Sequence, residues 1–308
     1  MPNTLIHIAA QAPISRGLFP KIGIPWILAG TLIPDIPWIL QRVLTTWQLA
    51  DPYQVRLYVT IQASLVFCLL LSLAISSLHR KPIALFLLLA VNSLMHLLLD
   101  ALQIKWGNGV HLAAPLNWQT THLGLIWPEH IIGYTVTLLG VVYLAMKLQT
   151  ILGEGFSSRQ PPRWKTAVIP LVFYFLLPFM FMNQLQHSNT NYLQTLKETE
   201  TRTGKEIEFD RAFYSKEKGT VTVFTGEALS VAGSLPEESG TISLKGEFVD
   251  PQTIRSMDFH QHNHYRDTAS KVGIFLTLAI WLSLLLKSRY NSIRLNWTRT
   301  MKRSSYRS

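Results

Sequence analysis

One cysteine in 308 residues, Cys68, leaves no disulfide framework and no Cys-based metal site in this chain. Charge is scarce too, because Asp, Glu, Lys and Arg together make up 15% of the residues, against about 25% in an ordinary soluble domain. No G-x-S-x-G elbow presents a serine nucleophile. A phosphate-cradling glycine loop is also missing, as is the strand-helix alternation of dinucleotide-binding folds. The tail from Lys287 to Ser308 carries seven basic residues and no acid. These gaps argue against a soluble, disulfide-bonded or nucleotide-binding protein and against a serine hydrolase.

Long apolar runs are abundant. Segments 57–78, 82–102, 131–148, 166–182 and 271–286 each approach the roughly 20 residues that cross a bilayer as helix. The pattern predicts a mainly α, polytopic helical membrane protein. A stretch at 22–42 is as apolar, but Gly23, Pro25, Gly30, Pro34 and Pro37 interrupt it. Broken or re-entrant helix is expected there, with 57–78 as the first clean span. No basic n-region or small-residue cleavage site marks the start as a signal peptide, so the N-terminus is expected to be retained.

The net charge of +10 is distributed as membrane topology requires, and nucleic acid is not expected as a partner. Basic stretches at Arg80–Lys81, at Arg159, Arg163 and Lys165, and in the tail are expected to face the cytoplasm. The chain then reads as a multi-pass protein of the cytoplasmic (inner) membrane with a cytoplasmic C-terminus. Residues 183–270 fall outside.

The organisation expected is a membrane-embedded helical domain over 1–148, a cytoplasmic Gly/Ser/Pro-rich linker over 149–165 and a transmembrane hairpin over 166–286. The hairpin encloses a soluble β-domain at 185–269, and the basic tail occupies 287–308. Within the insert, EIEFDRAFYS, GTVTVFTG, EALSVAGSL, GTISLKGEFV and TIRSMDFHQH alternate or are rich in β-branched residues between turn signals. They predict a small extracytoplasmic β-barrel or sandwich between the last two transmembrane helices.

The chemistry-bearing residues stand in and beside the apolar runs. His96 and Asp100 are four residues apart in 82–102, on one helical face. An ionisable pair in lipid is costly and normally faces a partner, a cavity or an ion. Asp35 sits between Pro34 and Pro37, where a helix N-cap and a metal ligand are equal alternatives. His7 lies among small and apolar residues near the N-terminus. The loop 103–130 brings Trp106, Trp118 and Trp127, which suit a headgroup-level belt. Of its histidines, His122 reads as interfacial, while His111 and His130 stay open. His260, His262 and His264 would share one strand face as a second metal site if the strand continues. Two imidazoles and two carboxylates from His7, Asp35, His96 and Asp100 suit a divalent metal, most simply zinc.

These elements resemble the bacterial membrane-bound metal-dependent hydrolases of the YdjM type. The resemblance lies in His7 followed by small residues (HIAAQ), in G-x-x-x-P-D from Gly30 to Asp35, and in His96-x-x-x-Asp100 followed by GVHLAAP at 109–115. It spans roughly residues 1–150. It implies a metal centre related to that of zinc-dependent phospholipase C, with His7, Asp35, His96 and Asp100 as ligands. The family's HRGxTHS element has no counterpart, since the corresponding region here reads LYVTIQASL, with Gln62 and Ser64 but no histidine. A mononuclear site, replacement ligands such as Gln62, His111 or His130, or a scaffold without activity would follow from that departure.

The expected function is hydrolysis of a lipid-like or envelope ester or phosphoester by a metal-activated water at the outer membrane face. The alternative is a non-catalytic assembly or anchoring protein whose β-domain binds a protein or an envelope polymer. A transporter ranks third, because no repeated pair of broken helices is present.

Overall fold

The computed structural model describes residues 3–154, 164–188 and 190–305. Arg159, Arg163 and residues 306–308 lie outside the described residues, as do the side chains from residue 288 on.

The first helix, α1 (Thr4–Leu18), starts at Asn3, whose side chain accepts from the Leu5 and Ile6 amides. That is the ordinary N-cap device. Helix α2 (Ile24–Leu32) continues through one 3₁₀ turn, Ile33–Asp35, into α3 (Ile36–Thr46). Then come α4 (Pro52–Gln62), α5 (Leu65–Ser77) and α6 (Pro82–Leu102). After the loop 103–130 the chain enters α7 (Ile131–Glu154), followed by α8 (Trp164–Leu176) and α9 (Pro178–Ser188). A π turn (Thr190–Gln194) and α10 (Thr195–Lys197) lead into the strands, and α11 (Tyr265–Ser305) closes the chain.

Five stretches are long and apolar enough to cross a membrane: Ile24–Thr46, Pro82–Leu102, Ile131–Gly153, Trp164–Ser188 and Tyr265–Lys287. Two expectations exchange places. The proline-rich stretch over 22–42 is part of a continuous candidate span, whereas 57–78 is bent by 70° between α4 and α5. Prolines account for the first outcome: Pro25 and Pro37 stand in the first turns of α2 and α3, where no amide bond is lost. Packing accounts for the second, because α4 lies against α3 and α9 while α5 lies against α6 and α8.

The expected strands are present as β1 (Glu206–Ser215), β2 (Thr220–Thr222), β3 (Ala228–Gly233), β4 (Gly240–Asp250) and β5 (Thr253–Gln261). They form a closed barrel in the order β1-β2-β3-β5-β4, antiparallel except for β3 with β5. This is the five-stranded Greek-key arrangement of OB-type barrels. Its interior is filled by Ile207, Phe209, Val221, Leu229, Ile242, Leu244, Phe248 and Ile254, all buried. In β1 the alternation is interrupted once: Phe209 faces Leu244 and Ala212 faces Ile242, so Asp210 and Arg211 together oppose Ser243. Arg211 adopts φ 60° to make this bulge. A non-glycine residue in the left-handed region there carries strain, and it re-aims two charged side chains out of the sheet.

The bundle has two distinct ends. At one, Trp26 meets His79 and Trp281 edge-on, and Lys287 Nζ donates to the Leu152 carbonyl. At the other, Asn3 donates to Thr137 Oγ1 and to Tyr265 OH, close to the barrel.

Candidate metal centre

Helices α1 and α6 each bury a polar stripe in an otherwise apolar surface. Thr4, His7, Gln11 and Ser15 line α1; Asn92, Ser93, His96 and Asp100 line α6. Both stripes follow the three-to-four spacing that gathers side chains on one helical face. They meet where Ser15 Oγ donates to Asn92 Oδ1 at 2.6 Å. Gly30 lets α2 join them: a Cβ there would stand 2.8 Å from Asn92 Nδ2 and 2.9 Å from its Cβ.

This packing draws together the four residues expected from the sequence. The rings of His7 and His96 stack, centroids 3.7 Å apart and 4° from parallel, with their Nε2 edges toward the carboxylates. His7 Nε2 lies 3.3 Å from Asp100 Oδ1. His96 Nε2 lies 3.7 Å from Asp35 Oδ1 and 3.9 Å from Asp100 Oδ2. Asp35 makes no N-cap bond to α3, so its carboxylate is directed to the cluster instead of the helix end.

Ligand nitrogens and oxygens around a tetrahedral zinc stand about 3.3–3.5 Å apart, given metal bonds of about 2.0–2.1 Å. The spacings here bracket and slightly exceed that value. Donor atoms of His7, His96 and Asp100 all fall within 4.8 Å of one another, a set that can hold a metal ion. His7 Nε2, His96 Nε2, both Asp35 oxygens and Asp100 Oδ1 are buried without a hydrogen-bond partner. Buried polar atoms are normally satisfied, so this concentration of orphans fits a cationic ligand.

The far side of each ring supports the same use. His96 Nδ1 is 2.8 Å from the Thr31 carbonyl, an acceptor only, so the proton sits on Nδ1 and Nε2 offers its lone pair. Gln11 faces His7 Nδ1 at 3.5 Å. With that amide turned end for end, its otherwise unpartnered Oε1 accepts from Nδ1 and frees Nε2 in the same way.

Lys105, which no sequence pattern marks, completes the surroundings: its Nζ is 3.1 Å from Asp100 Oδ2. Beyond it lies a cavity of about 90 Å³ whose wall includes Asp100, Lys105 and His111. His111 donates through Nδ1 to the Trp118 carbonyl at 2.9 Å, and burial pushes its pKa down to about 4.

Two other expected ligands are elsewhere. Gln62 donates its amide to Tyr58 OH and to the Tyr174 carbonyl, which turns it away from the cluster. His130 is exposed and accepts from the Ile132 amide at the start of α7.

The second expected cluster is changed in membership. Strand β5 ends at Gln261, and the His264 carbonyl accepts from the Thr268 amide as α11 begins. His264 is therefore outside the group, and Glu129 from the loop 103–130 joins His260 and His262 in a second set able to hold a metal ion. Sequence spacing offered no signal for Glu129, which is 131 residues from His260. His262 Nδ1 is 2.9 Å from Glu129 Oε1 and Nε2 is 2.8 Å from Ser243 Oγ. Ser243 in turn donates to Asp210 and accepts from the Arg211 amide, which ties the cluster to the bulge in β1. Burial opposes ionisation of Glu129, but the neighbouring His260 imidazole and the hydrogen bond from His262 outweigh it and hold the carboxyl below its ordinary range. Asp210 is likewise held down, against burial, by Arg266 and His262. His260 stacks on Trp127 at 3.7 Å.

Compared with protein families, with curated proteins and with solved structures, the chain matches none.

Proposed function

We propose that this chain is an integral membrane hydrolase that uses one divalent metal, zinc by its donor set, held by His7, Asp35, His96 and Asp100. The observation that carries the reading is the convergence of these residues from α1, the 3₁₀ turn and α6, with five of their donor atoms buried and without a hydrogen-bond partner. A bound divalent ion supplies Lewis acidity and lowers the pKa of water, which serves hydrolysis of an ester or phosphoester.

The protein's own groups have distinct parts. Thr31 and Gln11 fix the two imidazoles from behind. Asp35, with both oxygens unpaired, is placed to take a proton if one of its oxygens is not a ligand. Lys105 fixes Asp100 and sets a positive charge beside the place where negative charge develops.

The same proposal places the barrel on the outer side of a bacterial inner membrane, with the C-terminus in the cytoplasm. Its support is that the turn at Arg80–Lys81, the end of α7 and Lys287 gather at the bundle end away from the barrel. Large apolar side chains such as Leu138, Phe173, Phe179, Phe275 and Leu282 also face outward from the candidate spans. With that orientation the metal centre opens toward the outer leaflet, where a lipid-like or envelope substrate lies.

The test is the zinc content of the full chain purified in detergent. Wild type is expected to retain stoichiometric zinc, and the volume-conserving pair His96→Asn with Asp100→Asn to lose it while keeping the wild-type elution profile. Unchanged zinc in a folded double variant sinks the assignment. The cluster is then a self-neutralised polar core around Lys105 and Asp100, and an anchoring or assembly role with the barrel as binding module takes its place.

A further inference from the structure

The two cavities at the helix–barrel junction are lined by more cations than anions, and among the described residues two arginines there, Arg42 and Arg56, have no counter-ion. Arg56, on α4, holds its guanidinium between three rings: 4.8 Å from the Trp38 centroid, 5.5 Å from Phe224 and 5.8 Å from Tyr192. Among the described residues no carboxylate pairs with it. The contrast is Arg202, fully buried, which is bonded to both oxygens of Glu227. Cation–π packing fixes the position of the Arg56 guanidinium without consuming its fork of N–H donors.

Arg56, Trp38 and Asn108 line both cavities, the 90 Å³ space beside Asp100 and a larger one of about 390 Å³ between α3, α4 and the barrel. Arg42 and Arg211 also face the larger space, and Lys105 and Arg266 the smaller. The acids on these walls already have partners. Asp267 pairs with Arg211 at 2.8 Å, Asp210 with Ser243 and Arg266, and Asp100 with Lys105. Arg42 and Arg56 are left as the surplus, and the smaller cavity, which Arg56 also lines, touches Asp100 of the cluster.

We propose that this junction is an anion-binding subsite and that the substrate carries a phosphate group, held by Arg56 and Arg42, beside the bond to be cleaved. The inference rests on the hydrolase reading above for what happens at the cluster, but the anion site itself does not need the metal. Arginine forks match phosphate oxygens in pairs, and a cavity of 390 Å³ falls within the range of small-ligand sites. The neighbouring span Ile24–Thr46 carries Trp38 and Arg42 near its barrel-side end, the level at which an amphiphile presents its headgroup.

The experiment uses the full chain in detergent, stripped of metal by chelation, titrated with inorganic phosphate by calorimetry. Saturable binding is expected, weakened about tenfold or more in Arg56→Gln, a charge contact worth roughly 1.4 kcal/mol, and only partly in Arg56→Lys. Equal affinity in wild type and both variants, or no saturable binding, overturns the proposal. Should Arg56→Gln fail to fold, Arg56→Lys and Arg42→Gln give the answer, with unchanged affinity in both counting against it. Nanodiscs of phosphatidylglycerol and of phosphatidylcholine then separate the sources. A thermal shift that depends on Arg56 and appears only with the anionic lipid assigns the phosphate to a lipid headgroup; a shift with inorganic phosphate alone assigns it to a soluble phosphate. Phosphate binding that persists in a chain found to hold no zinc keeps the anion site and discards the hydrolase reading.

Discussion

The protein builds two clusters from the same residue types, and they differ in what their neighbours do. The His7–Asp35–His96–Asp100 cluster lies among apolar helices, and five of its donor atoms have no hydrogen-bond partner. In the Glu129–His260–His262 cluster, only Glu129 Oε2 and His260 Nε2 are so left. There Ser243, Asp210 and Arg211 occupy the remaining valences. Burial penalises both groups equally in kind. A cluster that meets the penalty with its own side chains can join the loop 103–130 to the barrel; the one that leaves more of it unmet is the one we propose holds an ion.

That contrast is most exposed to Asp35→Asn, which keeps the shape and removes the charge. Zinc affinity is expected to fall by roughly a hundredfold or more, beyond the usual effect of losing an outer-shell partner, read by competition with a chromogenic chelator. Retained affinity would mean that Asp35 is not among the ligands and would make the two clusters more alike.

Glu129→Gln addresses the other side of the comparison. Removing one member of a buried charge network costs about 3–5 kcal/mol, so a clear drop in the melting temperature and faster proteolysis of the barrel are expected, with the zinc-to-protein ratio unchanged. Loss of one zinc equivalent in this variant would show that the barrel cluster is a metal site as well.

A pH-dependent effect concerns His111, at the wall between the centre and the loop. Its pKa is about 4 in the folded chain, against about 6.5 when unfolded. The unfolded state therefore binds the extra proton first. Stability from this group is complete above pH 6.5 and is lost as pH falls toward 4, by roughly 3 kcal/mol. Thermal melts of wild type and His111→Asn over that range check it; equal slopes in the two proteins would remove His111 from the account.

Much of the fold was legible because lipid-length apolar runs and two-residue alternation are local signals. Helix α6 coincides with the run at 82–102, and all five strands lie where β-branched alternation put them. The exchange of the broken and the continuous stretch was not legible. Proline in a first helical turn breaks nothing, and the 70° bend comes from the different partners of α4 and α5. Within the site, His96 and Asp100 were visible from their spacing. Lys105, five residues beyond Asp100, carries no pattern, and Glu129 reaches His262 only through tertiary packing. His7 and Asp35 do come to the His96–Asp100 pair, but Gln62, His130 and His264 show that residue type alone does not bring a side chain to a site.

By itself the sequence determined the inventory: apolar helices in number, a small all-β insert, and ionisable residues placed where burial would make them costly. Which of those costs are met inside the protein was decided by the tertiary structure. A helix face fixes only which residues of one element point together. Whether two such faces meet, whether a bulge at Asp210–Arg211 brings Arg211 to Glu129, and whether an arginine is caught between three rings depend on distances between elements far apart in the chain.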